Sequence, residues 1–439
     1  MTGTSNTDET GEEVRTTRRR FFQTAAGVGV GALLGEGRAE AVATNGGEVL
    51  WRSRTADSVR SSPTVVDGTL FVGSHDNHVY ALDADTGVEQ WRFETGAGVG
   101  SSPTVADGIV FVGSYDGNVY ALDAATGDEH WRFTTGDERW FLETSESVQS
   151  SPTVVDGTVF VGSEDERIYA LDTATGDQQW HFETDGWVYS SPAVVDGIVF
   201  VGSRDHHVYA LDAETGEEQW HFETGFTVGS SPTVANGTVF VGSSDSHVYA
   251  LDAVTGDQQW YFETGSGVYS SPTLVDDIVF VGSVDNYVYA LDAATGEEQW
   301  AFETGFSVRS SPTVADGTVF VGSGDSYVYA LDATTGSKRW HFETTFNVRS
   351  SPTVVNGTVF FGSENHYIYA LDAGVDGSSE CSRTQLGTLG HHDELATADE
   401  EIDIETTDEQ LPGFGVGSAL AGIGSAGYLL KRRLGDSNH

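Results

Sequence analysis

The sequence predicts an all-β fold, an eight-bladed β-propeller of four-stranded antiparallel blades closed by an N-terminal strand that completes the last blade. Three observations lead there. A unit best read at residues 62–101 occurs eight times, its Ser-Pro pairs ending at Pro63, Pro103, Pro152, Pro192, Pro232, Pro272, Pro312 and Pro352, a spacing of 40 residues with one interval of 49. Each copy holds four short apolar runs separated by turn signals, and none has helical periodicity. The fourth run is missing after the last copy and present before the first.

The chain opens with Thr17-Arg18-Arg19-Arg20-Phe21-Phe22-Gln23, an apolar stretch from Thr24 to Leu34, and Ala41-Val42-Ala43 as a cleavage site. This order resembles a twin-arginine export signal over residues 1–43 and implies that the protein folds before it crosses the membrane. A basic tail would explain the arginines but not the three features in series. Eleven apolar residues are too few to span a bilayer.

Residues 44–373 form the propeller. In the first copy the strands fall at Thr64–Val66, Thr69–Ser74, Val79–Asp83 and Gln90–Glu94. Asp67-Gly68 is a two-residue hairpin signal, because both central positions need positive φ. In Asp83-Ala84-Asp85-Thr86-Gly87 the glycine takes the left-handed position and Asp83 accepts backbone N–H groups. Val79-Tyr80-Ala81-Leu82 is apolar on both faces, as a sheet sandwiched between neighbours requires. Trp91, Trp131, Trp180, Trp220, Trp260, Trp300 and Trp340 mark the fourth strands and are expected to wedge between blades. Trp51 precedes Pro63 by 12 residues, as Trp91 precedes Pro103, so Glu48–Arg52 supplies the eighth. That closure removes the free sheet edges. Asp76, Asp116, Asp165, Asp205, Asp245, Asp285 and Asp325 recur in one turn and read as structural.

The run Ala-Leu-Asp-Ala-x-Thr-Gly-x-x-x-Trp, as at Ala81 to Trp91, resembles the pyrroloquinoline-quinone (PQQ) repeat and its tryptophan-docking signature. The resemblance covers about residues 47–373. It implies the propeller fold and one of two kinds of function. Some members are quinone-dependent alcohol and sugar dehydrogenases; others are non-catalytic, such as the lipoprotein of the bacterial outer-membrane assembly machinery. The dehydrogenases carry an adjacent-cysteine disulfide in some classes, long inserted loops, and an Asp/Asn/Glu calcium set beside the quinone. None is recognisable here, and the single cysteine, Cys381, forbids the disulfide.

Comparing copies within the chain separates two faces. The Asp-Gly turns are nearly constant, at Asp67, Asp107, Asp156, Asp196, Asn236, Asp316 and Asn356. On the opposite face, the residue before each Ser-Ser-Pro varies: Arg60, Gly100, Gln149, Tyr189, Gly229, Tyr269, Arg309 and Arg349. Its larger members, Arg60, Gln149, Tyr189, Tyr269, Arg309 and Arg349, are the candidate ligand-binding set at the tunnel mouth. Arg309, Arg349 and Arg60 belong to consecutive blades and form a basic arc suited to an anionic or polyhydroxylated ligand, the carboxylates of PQQ included. Pairing with local Glu and Asp is the alternative. Blade links carry Trp187, Phe226, Phe306 and Phe346, and the one insertion, Asp137–Ser147, brings Trp140 and Phe141. These six are candidate partner contacts.

No catalytic residue is assigned and no metal site is expected. His75, His78, His206, His207, His247 and His366 lie on different blades, and Asp83-Ala84-Asp85 lacks the later ligands of a calcium loop. Asn236 and Asn356 begin glycosylation sequons within tight turns. With 67 acidic against 21 basic residues the formal charge is −46, which excludes nucleic acid and anionic lipid as partners. Only Lys338 and Lys431 are lysines, so the composition resembles that of a salt-loving archaeon.

Gly374 to Leu411 reads as an acidic, flexible stalk. Residues 412–439, with Pro412-Gly413-Phe414-Gly415, the apolar run Val416–Leu430 and Lys431-Arg432-Arg433, resemble the PGF-type sorting signal of archaeal surface proteins. A retained membrane anchor is the alternative, and the membrane is met only through this end. The expectation is a monomeric, exported and tethered binding or scaffold propeller without cofactor, its partner an envelope protein or glycan. The alternative is a dehydrogenase using PQQ with calcium, its cofactor gripped by Arg60, Arg309 and Arg349.

Overall fold

The computed structural model describes residues 46–136 and 146–379. Their local chemistry sets the blade. Asp67 and Gly68 take φ of 47° and 75°, which turns β2 (Thr64–Val66) directly back onto β3 (Thr69–Ser74). β4 (His78–Asp83) pairs with β3 and with β5 (Glu89–Glu94), all antiparallel. Between β4 and β5, Asp83 Oδ1 accepts from Thr86 N at 2.8 Å and from Thr86 Oγ1 at 2.6 Å. Gly87, at φ 69°, completes that turn. Each expected strand of the first copy is found within one residue.

The described residues form thirty-two strands in eight four-stranded sheets, and all are β. The last blade has the order β1-β32-β31-β30, with β1 spanning Val49–Arg54, β30 Thr353–Val355, β31 Thr358–Ser363 and β32 Tyr367–Asp372. The N-terminal strand therefore closes the ring as its outermost strand. Gly47 N donates to Asp372 O at 2.7 Å and Asp372 N to Glu48 O at 2.8 Å where the two ends of the propeller meet.

The repeated motif maps onto two kinds of contact between blades. Near the axis, the second Ser of each Ser-Ser-Pro accepts a backbone N–H from the same position of the preceding blade. The series closes on itself through Ser351 N to Ser62 Oγ at 2.9 Å. The following Thr donates to the next blade's proline carbonyl in seven blades, as in Thr64 to Pro103 O and Thr353 to Pro63 O. Blade four has Ala193 there.

Farther out, every strand tryptophan donates its indole N–H to a carbonyl of the next blade. Trp51 reaches Ala84 O at 2.8 Å, Trp220 reaches Ala253 O at 3.1 Å and Trp340 reaches Ala373 O at 3.0 Å. The indole lies flat on the turn glycine: a Cβ on Gly87 would come within 2.4 Å of the Trp51 ring. Thr-Gly in one blade and Trp in its neighbour are thus a single packing unit. These tryptophans are buried except Trp51, which is half-buried. The outermost strands are otherwise largely exposed, so the two-faced apolar pattern belongs to the second and third strands.

Residues 374–379, assigned by sequence to the stalk, pack on the last blade. Gly357 N donates to Gly377 O at 2.9 Å, and Ser379 N donates to Val354 O at 2.8 Å along the inner strand. From the Asn356-Gly357 turn the chain thus runs along β30 as far as Val354, where the described residues end. Trp140 and Phe141, the signal peptide, the rest of the stalk and the sorting signal lie outside the described residues.

Candidate functional site

The face opposite the Asp-Gly turns is built from the links between blades and the loops between second and third strands. Main-chain bonds fix it. In every blade the loop residue after Phe-(Val/Phe)-Gly-Ser donates its N–H to a link carbonyl, from His75 N to Ser58 O at 2.9 Å through Glu364 N to Asn347 O at 3.0 Å. The next residue, an Asp in seven blades, ties link to loop: Asp245 Oδ2 accepts from Gly225 N at 2.7 Å and Tyr249 Oη at 2.8 Å. In blade eight Asn365 donates its amide to Tyr369 Oη instead. These aspartates are structural, as expected. The phenols they accept from, Tyr249 among them, have pKa values raised by burial and then by the Asp bond.

The side chains between these fixed points differ from blade to blade. Arg60 Nε donates to Glu364 Oε1 at 2.8 Å, and Arg349 Nε reaches the same oxygen at 3.2 Å. The basic arc is thus brought together, with two of its arginines on one carboxylate. Arg309 meets no carboxylate among the described residues; its guanidinium lies 4.6 Å from the Tyr269 ring centroid. Burial lowers the pKa of Arg349, as do Arg60 and Arg309, while Glu364 opposes them. Gln149 Nε2 donates to Glu164 Oε1 at 2.5 Å. Tyr189 stands with Trp187 around Arg204, whose guanidinium carbon is 5.4 and 4.9 Å from their ring centroids.

A second varying column completes the mouth and was missed by comparing only the residue before Ser-Ser-Pro. It is the loop position His75, Tyr115, Glu164, Arg204, Ser244, Val284, Gly324 and Glu364. Glu364, Glu164 and Arg204 are the partners of the first column. Tyr115 Oη lies 3.3 Å from His75 Nε2, over Gly100, where a Cβ would meet that hydroxyl at 2.5 Å. His75 has its pKa lowered by burial first and by Arg60 next, and Tyr115 has its pKa raised by burial.

Outside this ring the link aromatics stand in solvent. Phe226, Phe306 and Phe346 are 53%, 58% and 60% exposed, and Trp187 is 42% exposed. Phe226 touches His206, with ring centroids 5.2 Å apart. On the turn face Asn236 and Asn356 are exposed at φ of 52° and 48°, as their tight turns require.

The fit of a quinone with calcium can be tested on these side chains. Arg309 could complement one quinone carboxylate. The calcium that accompanies the quinone in the resembling dehydrogenases needs converging oxygen ligands, and among the described residues no three His, Cys, Asp or Glu side chains form such a group. The residues present do not fit the calcium part of that pair.

Solved structures of similar shape share the fold at low identity. BamB from Moraxella catarrhalis superposes with a TM-score of 0.63 at 20% identity, covering 74% of this chain and 99% of that one. The computationally designed Ika8 protein gives 0.65 at 19% over 74% and 99%. A europium-containing methanol dehydrogenase gives 0.65 at 15% over 74% and 93%. No curated protein matches the chain in sequence. The PGF-CTERM motif matches residues 411–433 and indicates archaeal cell-surface sorting with membrane tethering at the C-terminus. A second family model, PQQ_2, described as outer membrane protein assembly factor BamB, matches residues 35–135, 133–188, 185–282 and 263–379. With most of its length covered by that model, the chain belongs to this PQQ-repeat family.

Proposed function

We propose that the protein is a non-enzymatic binding or scaffold propeller that presents its link face to an envelope partner, a protein first and a glycan second. The observation that carries the reading is the contrast between constant backbone anchoring and varied side chains on that one face, crowned by exposed Trp187, Phe226, Phe306 and Phe346. Export by the twin-arginine route belongs to the same proposal, since a ring closed by its first and last strands would be delivered folded.

The test is retention of the protein's partner in solubilised envelopes. Replacing Phe306 and Phe346 together by Ala is expected to reduce co-purification of a discrete partner at least tenfold, about the effect of losing one interface hot spot. Unchanged co-purification with a folded variant would overturn the reading. One observation, the guanidinium of Arg309 without a carboxylate, favours a second reading as a PQQ-dependent dehydrogenase. Equilibrium dialysis of PQQ against the full chain in molar salt, with and without calcium, decides it. Calcium-dependent retention that disappears in Arg309→Gln would move the protein to the enzymes.

A further inference from the structure

We propose that the link-face mouth between blades seven, eight and one binds a doubly negative oxyanion: a phosphate monoester, or two adjacent carboxylates, borne by the partner. The inference rests on the link face being the binding face and names the chemistry recognised there.

Three guanidinium groups converge on this sector while one carboxylate, Glu364, answers them. A single carboxylate oxygen shared by Arg60 and Arg349 neutralises one charge. The third cation, Arg309, is positioned by the Tyr269 ring, so its fork is fixed in place without an ionic partner. In a chain of formal charge −46, only Glu364 forms an ion pair with these groups among the described residues, while Asp57 and Glu164 act on the same wall from farther off. Guanidinium forks arriving from three blades suit an oxyanion with several acceptor oxygens better than a spherical halide.

The wall of the sector is neutral and hydrogen-bonding. Tyr115 and His75 stand edge to face at 5.2 Å. Arg60 and Arg349 hold His75 toward its uncharged form, and Asp57 and Glu364 pull the other way. Asp57 is engaged with its own link, accepting from Ser58 N at 2.6 Å. An anion bound beside Arg60 and Arg349 offsets their field at His75. The imidazole is then easier to protonate, and by linkage the anion binds more tightly as pH falls through the value His75 takes in the complex.

The experiment uses the full chain in molar KCl with histidine labelled for NMR, His75 being assigned through His75→Gln. Sulfate, inorganic phosphate and succinate are titrated separately, and the pH series uses sulfate because its charge stays constant. The expected result is a saturable shift of the His75 resonance with its pKa raised in the complex. Binding should weaken about tenfold in Arg309→Gln and tighten in Glu364→Gln. Response to sulfate and phosphate alone would assign a phosphate monoester, and response to succinate alone a paired carboxylate. No saturable shift with any probe, or equal binding by parent and Arg309→Gln, overturns the inference. Loss of partner co-purification in the Phe306 and Phe346 variant is read separately, so the binding face can stand while the anion site falls.

Discussion

The two faces of the ring are made from the same eight copies, and they have been treated differently. On the turn face the side chains themselves carry the structure: Asp accepts from Thr, Gly clears the indole and Trp reaches the next blade, so substitution there breaks a bond. On the link face the recurring loop bonds are largely main chain to main chain, and constant Ser and Asp residues supply the rest. The carbonyl of Ser58, Gly98, Trp187 or Asn347 serves equally well whatever its side chain. That is why His, Tyr, Glu, Arg, Ser, Val, Gly and Glu can follow one another in one loop position without disturbing the blade.

The largest expected effect on this contrast comes from the turn-face unit. Trp220→Ala removes a buried indole and its bond to Ala253 O, and is expected to cost about 3–5 kcal/mol in denaturant unfolding at fixed salt. Arg309→Gln or Phe306→Ala should fall within about 0.5 kcal/mol in the same assay. A comparable loss from the link variants would erase the distinction. A smaller effect of opposite sign is expected near the axis. Ala193→Thr restores the hydroxyl that seven other blades direct to a proline carbonyl, and should stabilise by about 1 kcal/mol. No gain, or a loss, would mean that blade four packs too tightly there for the extra atoms.

The smallest effect is on acid stability. Asp123, Asp172, Asp212, Asp252, Asp292 and Asp332 have folded-state pKa values below the ordinary one. Hydrogen bonds from the Thr three residues on hold them there, led at Asp332 by Arg339 in addition, which brings that group to about 2. Because folding depresses these values, their stabilisation is full above the unfolded carboxylate value of about 3.9 and is lost as pH falls through the folded ones. In molar salt, where repulsion among the acidic groups is screened, stability should decline between about pH 4 and 2. Asp332→Asn should make that decline shallower; an unchanged acid limb would count against the role of its turn.

Most of the ring could be read from the sequence because its determinants lie within one copy or one period away. Trp51 announced the closing strand by its 12-residue distance to Pro63, and the Asp-Gly pairs fixed the hairpins through backbone conformation alone. The mouth was only half legible. Arg60 and Glu364 are 304 residues apart in sequence and meet because the ring closes. Nothing local in either loop announces the other. The same comparison of copies, applied to the position after each Gly-Ser, would have exposed Glu364, Glu164 and Arg204 as a second varying column. Residues 374–379 gave no periodic signal, since they hold to β30 through main-chain groups and serine hydroxyls.

The central claim, that the link face binds and the turn face builds, is tested most directly by a photo-crosslinking amino acid placed at one exposed site on each. Phe306 and Val254 serve, at 58% and 78% exposure on opposite faces. In intact cells the Phe306 position is predicted to give a discrete higher-mass adduct that the Val254 position does not. An adduct from Val254 alone, or the same adduct from both, would contradict the account.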